Sequence, residues 1–185
     1  MPDFKMGNPA KTIISQSGTA NPTWGTGAPT GAVVNVVYSS MGAQHSFGTT
    51  DWTEVPNLSA TITPKSTSNK VLVTASLNCS GASSNYTVAI RLYRDSTAIA
   101  LGDTTGSRPT CWMSIGAQQW SNYHRQQASN TFLDSPSTTS AITYKLFVWD
   151  TRDNTSVYIN RASYDANSSA SPVTLSTIML QEIVG

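Results

Sequence analysis

Residues 132–150 read FLDSPSTTSAITYKLFVWD. The first half is an acid, a proline and a run of hydroxyls. The second half alternates as a strand does, with Ile142, Tyr144, Leu146 and Val148 on one face and Thr143, Lys145, Phe147 and Trp149 on the other. Asp and Ser side chains bond nearby backbone N–H groups and Pro136 fixes φ, so Asp134-Ser135-Pro136 reads as a tight turn before a strand. Both faces of the strand carry large apolar groups. One fills a core; Phe147 and Trp149 on the other need separate cover, for which a subunit interface is the simplest source.

The same rhythm extends both ways. AVVNVVYSS from Ala32 is β-branched and apolar, and Thr50 to Glu54 reads as a short strand with Trp52 facing in. NLSATITP turns Leu58, Ala60 and Ile62 inward. After a polar turn, VLVTASLNC does the same with Val71, Val73, Ala75 and Leu77, and the two runs are expected to pair antiparallel. YTVAIRLYRD, TAIALG, CWMSIGAQQW, VYIN and VTLSTIMLQEIV complete the series. SNYHRQQASN fits a strand or loop better than a helical turn. About eight to ten short strands at hairpin spacing, with no long helix, predict an all-β sandwich or barrel. No 20–50-residue repeat is visible, which excludes a propeller or β-helix.

Residues 1–31 differ. Four prolines and five glycines stop helix and central strand, so the segment reads as an extended attachment arm, with Ile13, Ile14 and Trp24 as its apolar anchors. Residues 32–185 form the folded domain, in keeping with one core in a chain of 185 residues.

Charged residues make up 11% of the chain, about half the ordinary share. Five Trp and seven Tyr keep it foldable, and a net charge of +1 offers no footprint for nucleic acid. No apolar run is long enough to span a membrane, and MPDFKMGNPAK lacks the apolar core of a signal peptide. The five N-x-S/T sequons (Asn57, Asn78, Asn85, Asn154, Asn167) are expected by chance in such a composition. Cys79 and Cys111 read as free thiols or as a single disulfide, and with two distant histidines they make a poor zinc site.

No G-x-S-x-G elbow, phosphate loop, HExxH or GxGxxG is present. A triad would have to use His45 or His124 with Asp134, and the turn reading explains Asp134 better. No carboxylate pair stands in a glycosidase-like motif; Asp150, Asp153 and Asp165 lie in turn-like sequence. Asp103, in LGDTTGSRP, lacks the dense acidic spacing of a calcium loop. No enzymatic activity, cofactor or metal is expected. Trp112, Trp120 and Tyr123 with Arg125 read either as packing or as a sugar-stacking surface.

VPNLSATITPKSTSNKVLVTASLN, AIRLYRDSTAIALGDTTGSR, FLDSPSTTSAITYKLFVW, VYINR and STIMLQEI, in that order, resemble the C-terminal module of bacteriophage tail-fibre and related virion-appendage proteins. The most specific pieces are the turn from Thr63 to Lys70 and the run from Leu133 to Ser140. The resemblance covers residues 32–185 and implies a jelly-roll-like sandwich, a homotrimer, and a place in the virion. A short tail fibre would attach to the tail through residues 1–31. It would meet a host glycan or protein through Trp112, Trp120, Tyr123 and the loop carrying Asp103 and Arg108. The alternative is a capsid decoration protein whose arm clamps capsomers. A capsular polysaccharide depolymerase is the third reading.

Overall fold

The computed structural model describes residues 28–48, 50–81, 86–117, 123–151 and 156–185. The arm anchors Ile13, Ile14 and Trp24 lie outside the described residues, as does Trp120.

The described residues form strands and no helix, so none is long and apolar enough to cross a membrane. The strands are β1 (Val33–Met41), β2 (His45–Gly48), β3 (Thr53–Ile62), β4 (Lys70–Gly81), β5 (Tyr86–Arg94), β6 (Thr97–Ile99), β7 (Met113–Ala117), β8 (Gln126–Asp134), β9 (Ile142–Asp150), β10 (Ser156–Ile159) and β11 (Ser176–Ile183). They build two antiparallel sheets. In the first, β11 lies between β1 and β4, β10 lies between β2 and β4, and β8 takes the other edge of β4. In the second, β9 lies between β3 and β5, and β6 and β7 share the far edge of β5. Eleven strands occur among the described residues where about eight to ten were expected: residues 45–48 form β2 and residues 126–134 form β8, while Thr50–Glu54 and NLSATITP, read as two runs, merge into β3.

The alternation read from the sequence sets the core. Leu58 and Ile62, Val71 to Leu77, Val88 to Leu92, and Ile142 to Val148 send their inward sets into one shared cluster, joined by Ile178 and Leu180. Each buried Leu, Ile or Val stabilises the fold by roughly 1.5–3 kcal/mol. The expected pairing of residues 58–62 with 71–77 does not occur. β3 pairs with β9 in the second sheet, and β4 pairs with β8, β10 and β11 in the first. Both runs do face inward, but from opposite sheets. Alternation specifies a strand's face and leaves its neighbour open.

Trp52 also departs from expectation. Asp51 Oδ1 accepts the Trp52 N–H at 2.7 Å, which holds a turn, and β3 starts only at Thr53. A register shift between Glu54 and Ser59, with Asn57 at φ 59°, then resets the strand. Trp52 consequently lies against Trp149, whose ring centroid is 5.6 Å away, on the outer face of the second sheet.

The chain changes sheet at six of the ten connections between these strands, and polar side chains fix several connections. Residues 63–69 carry it from β3 to β4. Glu182 of β11, fully buried, accepts the Lys65 N–H and the Asn69 side-chain amide, each at 2.6 Å. Asn160 joins β10 to β11 although residues 160–175 loop out between them. Its side-chain amide donates to the carbonyls of Met41 at 2.7 Å and Ala43 at 3.0 Å, and its Oδ1 accepts from Ser176 Oγ at 2.7 Å. Asn160 is fully buried at φ 60°, a conformation Asn tolerates better than most residues. Asn160→Ala removes three hydrogen bonds, two of them buried, and strains that backbone, and should lower stability by about 3 kcal/mol in urea unfolding. Asn160→Gly keeps the backbone and should still cost about 2 kcal/mol. A loss below about 1 kcal/mol in both would contradict this role for the side chain.

Candidate functional site

Asp134 ends β8 and is buried. Arg94 Nη1, from β5, donates to both its oxygens at 3.0 and 2.9 Å, and Tyr144 OH, from β9, donates to Oδ2 at 2.6 Å. The carboxylate thus ties the first sheet to two strands of the second. This corrects the turn reading in part: residues 135–141 do turn the chain into β9, but Asp134 bonds side chains across the core instead of local backbone. It is also no triad member. His124 lies just before β8, whose nine residues span about 30 Å. His45 pairs with Ile159, and Ile159 with Cys79, in the same cross-row as Gln126. Both histidines are therefore at the end of the first sheet away from Asp134.

At that end, a cavity of about 10 Å³ is lined by Cys79, Ser80, Gly81, Ile115, Gly116, His124 and Gln126. It has room for about one water. Cys79 and Cys111 are both free; burial pushes the Cys79 thiol up to about 12, so it is neither a nucleophile nor a ready metal ligand. Among the described residues no three His, Cys, Asp or Glu side chains are grouped to hold a metal ion. Asp150 is the last residue of β9 and buried, Asp165 pairs with Arg161 at 3.2 Å, and Asp153 lies outside the described residues.

The residues singled out for contact are dispersed. Trp112 packs partly buried against the core, its N–H donating to the Ile90 carbonyl at 2.9 Å. Asp103 and Arg108 stand exposed on the loop between β6 and β7, which turns at Gly106 with φ 58°. Arg91 anchors that loop: its Nε donates to the Thr110 carbonyl at 2.8 Å and its guanidinium lies 3.9 Å from the Trp52 ring centroid. Tyr123 is exposed and meets Tyr164, from the loop between β10 and β11, at 4.9 Å between ring centroids. In the same loop Arg161 lies over Tyr158 at 5.0 Å. No local pattern marks Tyr164, Arg161 or Arg91 in the sequence.

Phe147 and Trp149 do face outward, yet the chain supplies part of their cover. The Tyr93 and Phe147 ring centroids are 4.1 Å apart, Lys145 reaches over the Phe147 ring, and Trp52, itself under Arg91, lies against Trp149. Lys145 also pairs with Glu54 at 2.8 Å. This face is aromatic and charge-paired.

No protein-family model matches the chain, and no curated protein matches it.

Burial, then the hydrogen bond to Asp134, raises the Tyr144 phenol above its ordinary value of 10.0. Above that pH the unfolded chain releases this proton while the folded chain keeps it, so the stabilisation present below pH 10 is lost as pH rises further. Stability followed by denaturant unfolding should fall above pH 10, and Tyr144→Phe should make that fall shallower. An unchanged slope in the variant would contradict the assignment.

Proposed function

We propose that the protein is a non-enzymatic structural protein of a bacteriophage particle: a jelly-roll β-sandwich, assembled as a homotrimer, that serves as a short tail fibre. Residues 1–31 attach it to the tail, and its loops meet the host surface. The observation that carries this reading is the order of the rows. β1, β11, β4 and β8 face β3, β9, β5 and β7, and with β1–β2, β6–β7 and β10–β11 each taken as one row, successive rows change sheet except from β5 to β6. This two-sheet order supports the jelly-roll reading that the resemblance implies. Asp134, the acid most open to a catalytic reading, is engaged by Arg94 and Tyr144, which supports a role without chemistry.

The host-facing part rests on the exposed Tyr123–Tyr164 pair and the neighbouring loop with Arg161. Exposed rings with a cation nearby suit sugar faces or a protein partner.

Two measurements test the reading. Excess purified protein should reduce phage adsorption to host cells, and Tyr164→Ser should weaken that competition at least threefold while leaving the fold intact. Electron microscopy of the particle should place residues 1–31 on the tail at a few copies. Contacts with the capsid lattice at hundreds of copies would replace the tail fibre with a decoration protein. Absence from the particle would overturn the virion assignment.

A further inference from the structure

The outer face of β1, β4, β8 and β11 carries little charge. In β1, β4, β8 and β11 the charged residues are Lys70, Asp134 and Glu182. Asp134 and Glu182 are turned inward and buried. Lys70, the first residue of β4, is exposed at the rim of the outer face, two residues from Leu72. Across the rest of the face, register aligns Val36 with Gln181, Leu72 and Leu133 in one cross-row, and Tyr38 with Met179, Thr74 and Thr131 in the next. Val36 is 54% exposed, Tyr38 58% and Leu133 45%. Beyond this apolar end the face continues in hydroxyls and amides, such as the Thr74–Thr131 hydroxyl pair at 3.2 Å.

We propose that copies of this chain meet one another through this face, the apolar end with Val36, Tyr38 and Leu133 at the contact. The inference rests on the homo-oligomeric reading above and names the surface that serves it. Charge selects the occupant. Where a face lines the axis of a trimer, symmetry brings it beside its own copies, and an unpaired charge there would meet its own kind. A face with little charge avoids most of that cost. The outer face of the second sheet instead carries the Glu54–Lys145 pair and the Arg91 guanidinium, charges that a contact there would have to desolvate. Size agrees. Four rows about 4.8 Å apart and about eight residues long project roughly 500 Å². Side-chain relief raises the accessible area toward the roughly 600 Å² per partner at which stable assemblies begin.

The test is the mass of the full chain by light scattering over a range of concentrations, with circular dichroism to check folding. Wild type should be oligomeric. Val36→Lys and Leu133→Lys should each raise the dissociation constant at least tenfold. Tyr38→Ser, which removes only a ring, should raise it at least threefold, and Thr61→Lys on the opposite sheet should leave the mass unchanged. A wild-type monomer at every concentration would overturn the homo-oligomer and this surface with it. A folded oligomer indifferent to the substitutions at positions 36, 38 and 133 would overturn this surface alone.

Discussion

The carboxylates of Asp134 and Glu182 point into an apolar core, where a charge is costly unless it is closely bonded. Each is bonded, and each bond reaches across the molecule. Asp134 binds Arg94 and Tyr144 of the opposite sheet; Glu182 binds the turn that carries the chain from β3 to β4. The rest of the structure depends on where these acids sit. Inside, they join two sheets whose successive strands are mostly not neighbours. Outside, their inward orientation leaves Lys70 as the one charged residue on the outer face of β1, β4, β8 and β11.

Such a fold has few hairpins to hold it locally. β3 and β4 are consecutive yet lie on opposite sides of the core, as do β4 and β5, and β8 and β9. Long-range closure must therefore be specified by particular side chains. Asn160 is the clearest case. One side chain satisfies two carbonyls and a hydroxyl where a row would otherwise break, and it frees residues 160–175 to project. The loop between β6 and β7 is held in a comparable way by Arg91. A rigid two-sheet body with polar anchors at loop bases suits a protein whose work is done by surfaces.

Much of the core was legible in the sequence. Val71, Val73, Ala75 and Leu77, or Ile142, Tyr144, Leu146 and Val148, declare their inward face through a period of two, and all are buried. The partners of these strands were not legible, because alternation is the same whichever strand lies alongside. Trp52 was misread because the bulge after Glu54 and the turn at Asp51 shift its face. Asp134 was read as a turn residue because its sequence context is local, whereas its partners come from β5 and β9. Tyr123 was singled out as an aromatic near other aromatics. Its contact, Tyr164, comes from a Ser-rich loop that carries no periodic signal.

The sparsely charged outer face of the first sheet is the feature that connects this architecture to assembly. Hydroxyl-radical footprinting of the assembled full chain measures its exposure directly, side chain by side chain. In an isolated chain Tyr38 is 58% exposed and Tyr164 is 44% exposed. If copies cover this face, Tyr38 will oxidise severalfold more slowly than Tyr164 despite that order. If Tyr38 oxidises as fast as Tyr164 or faster, the face is open in the assembled protein and the account is wrong.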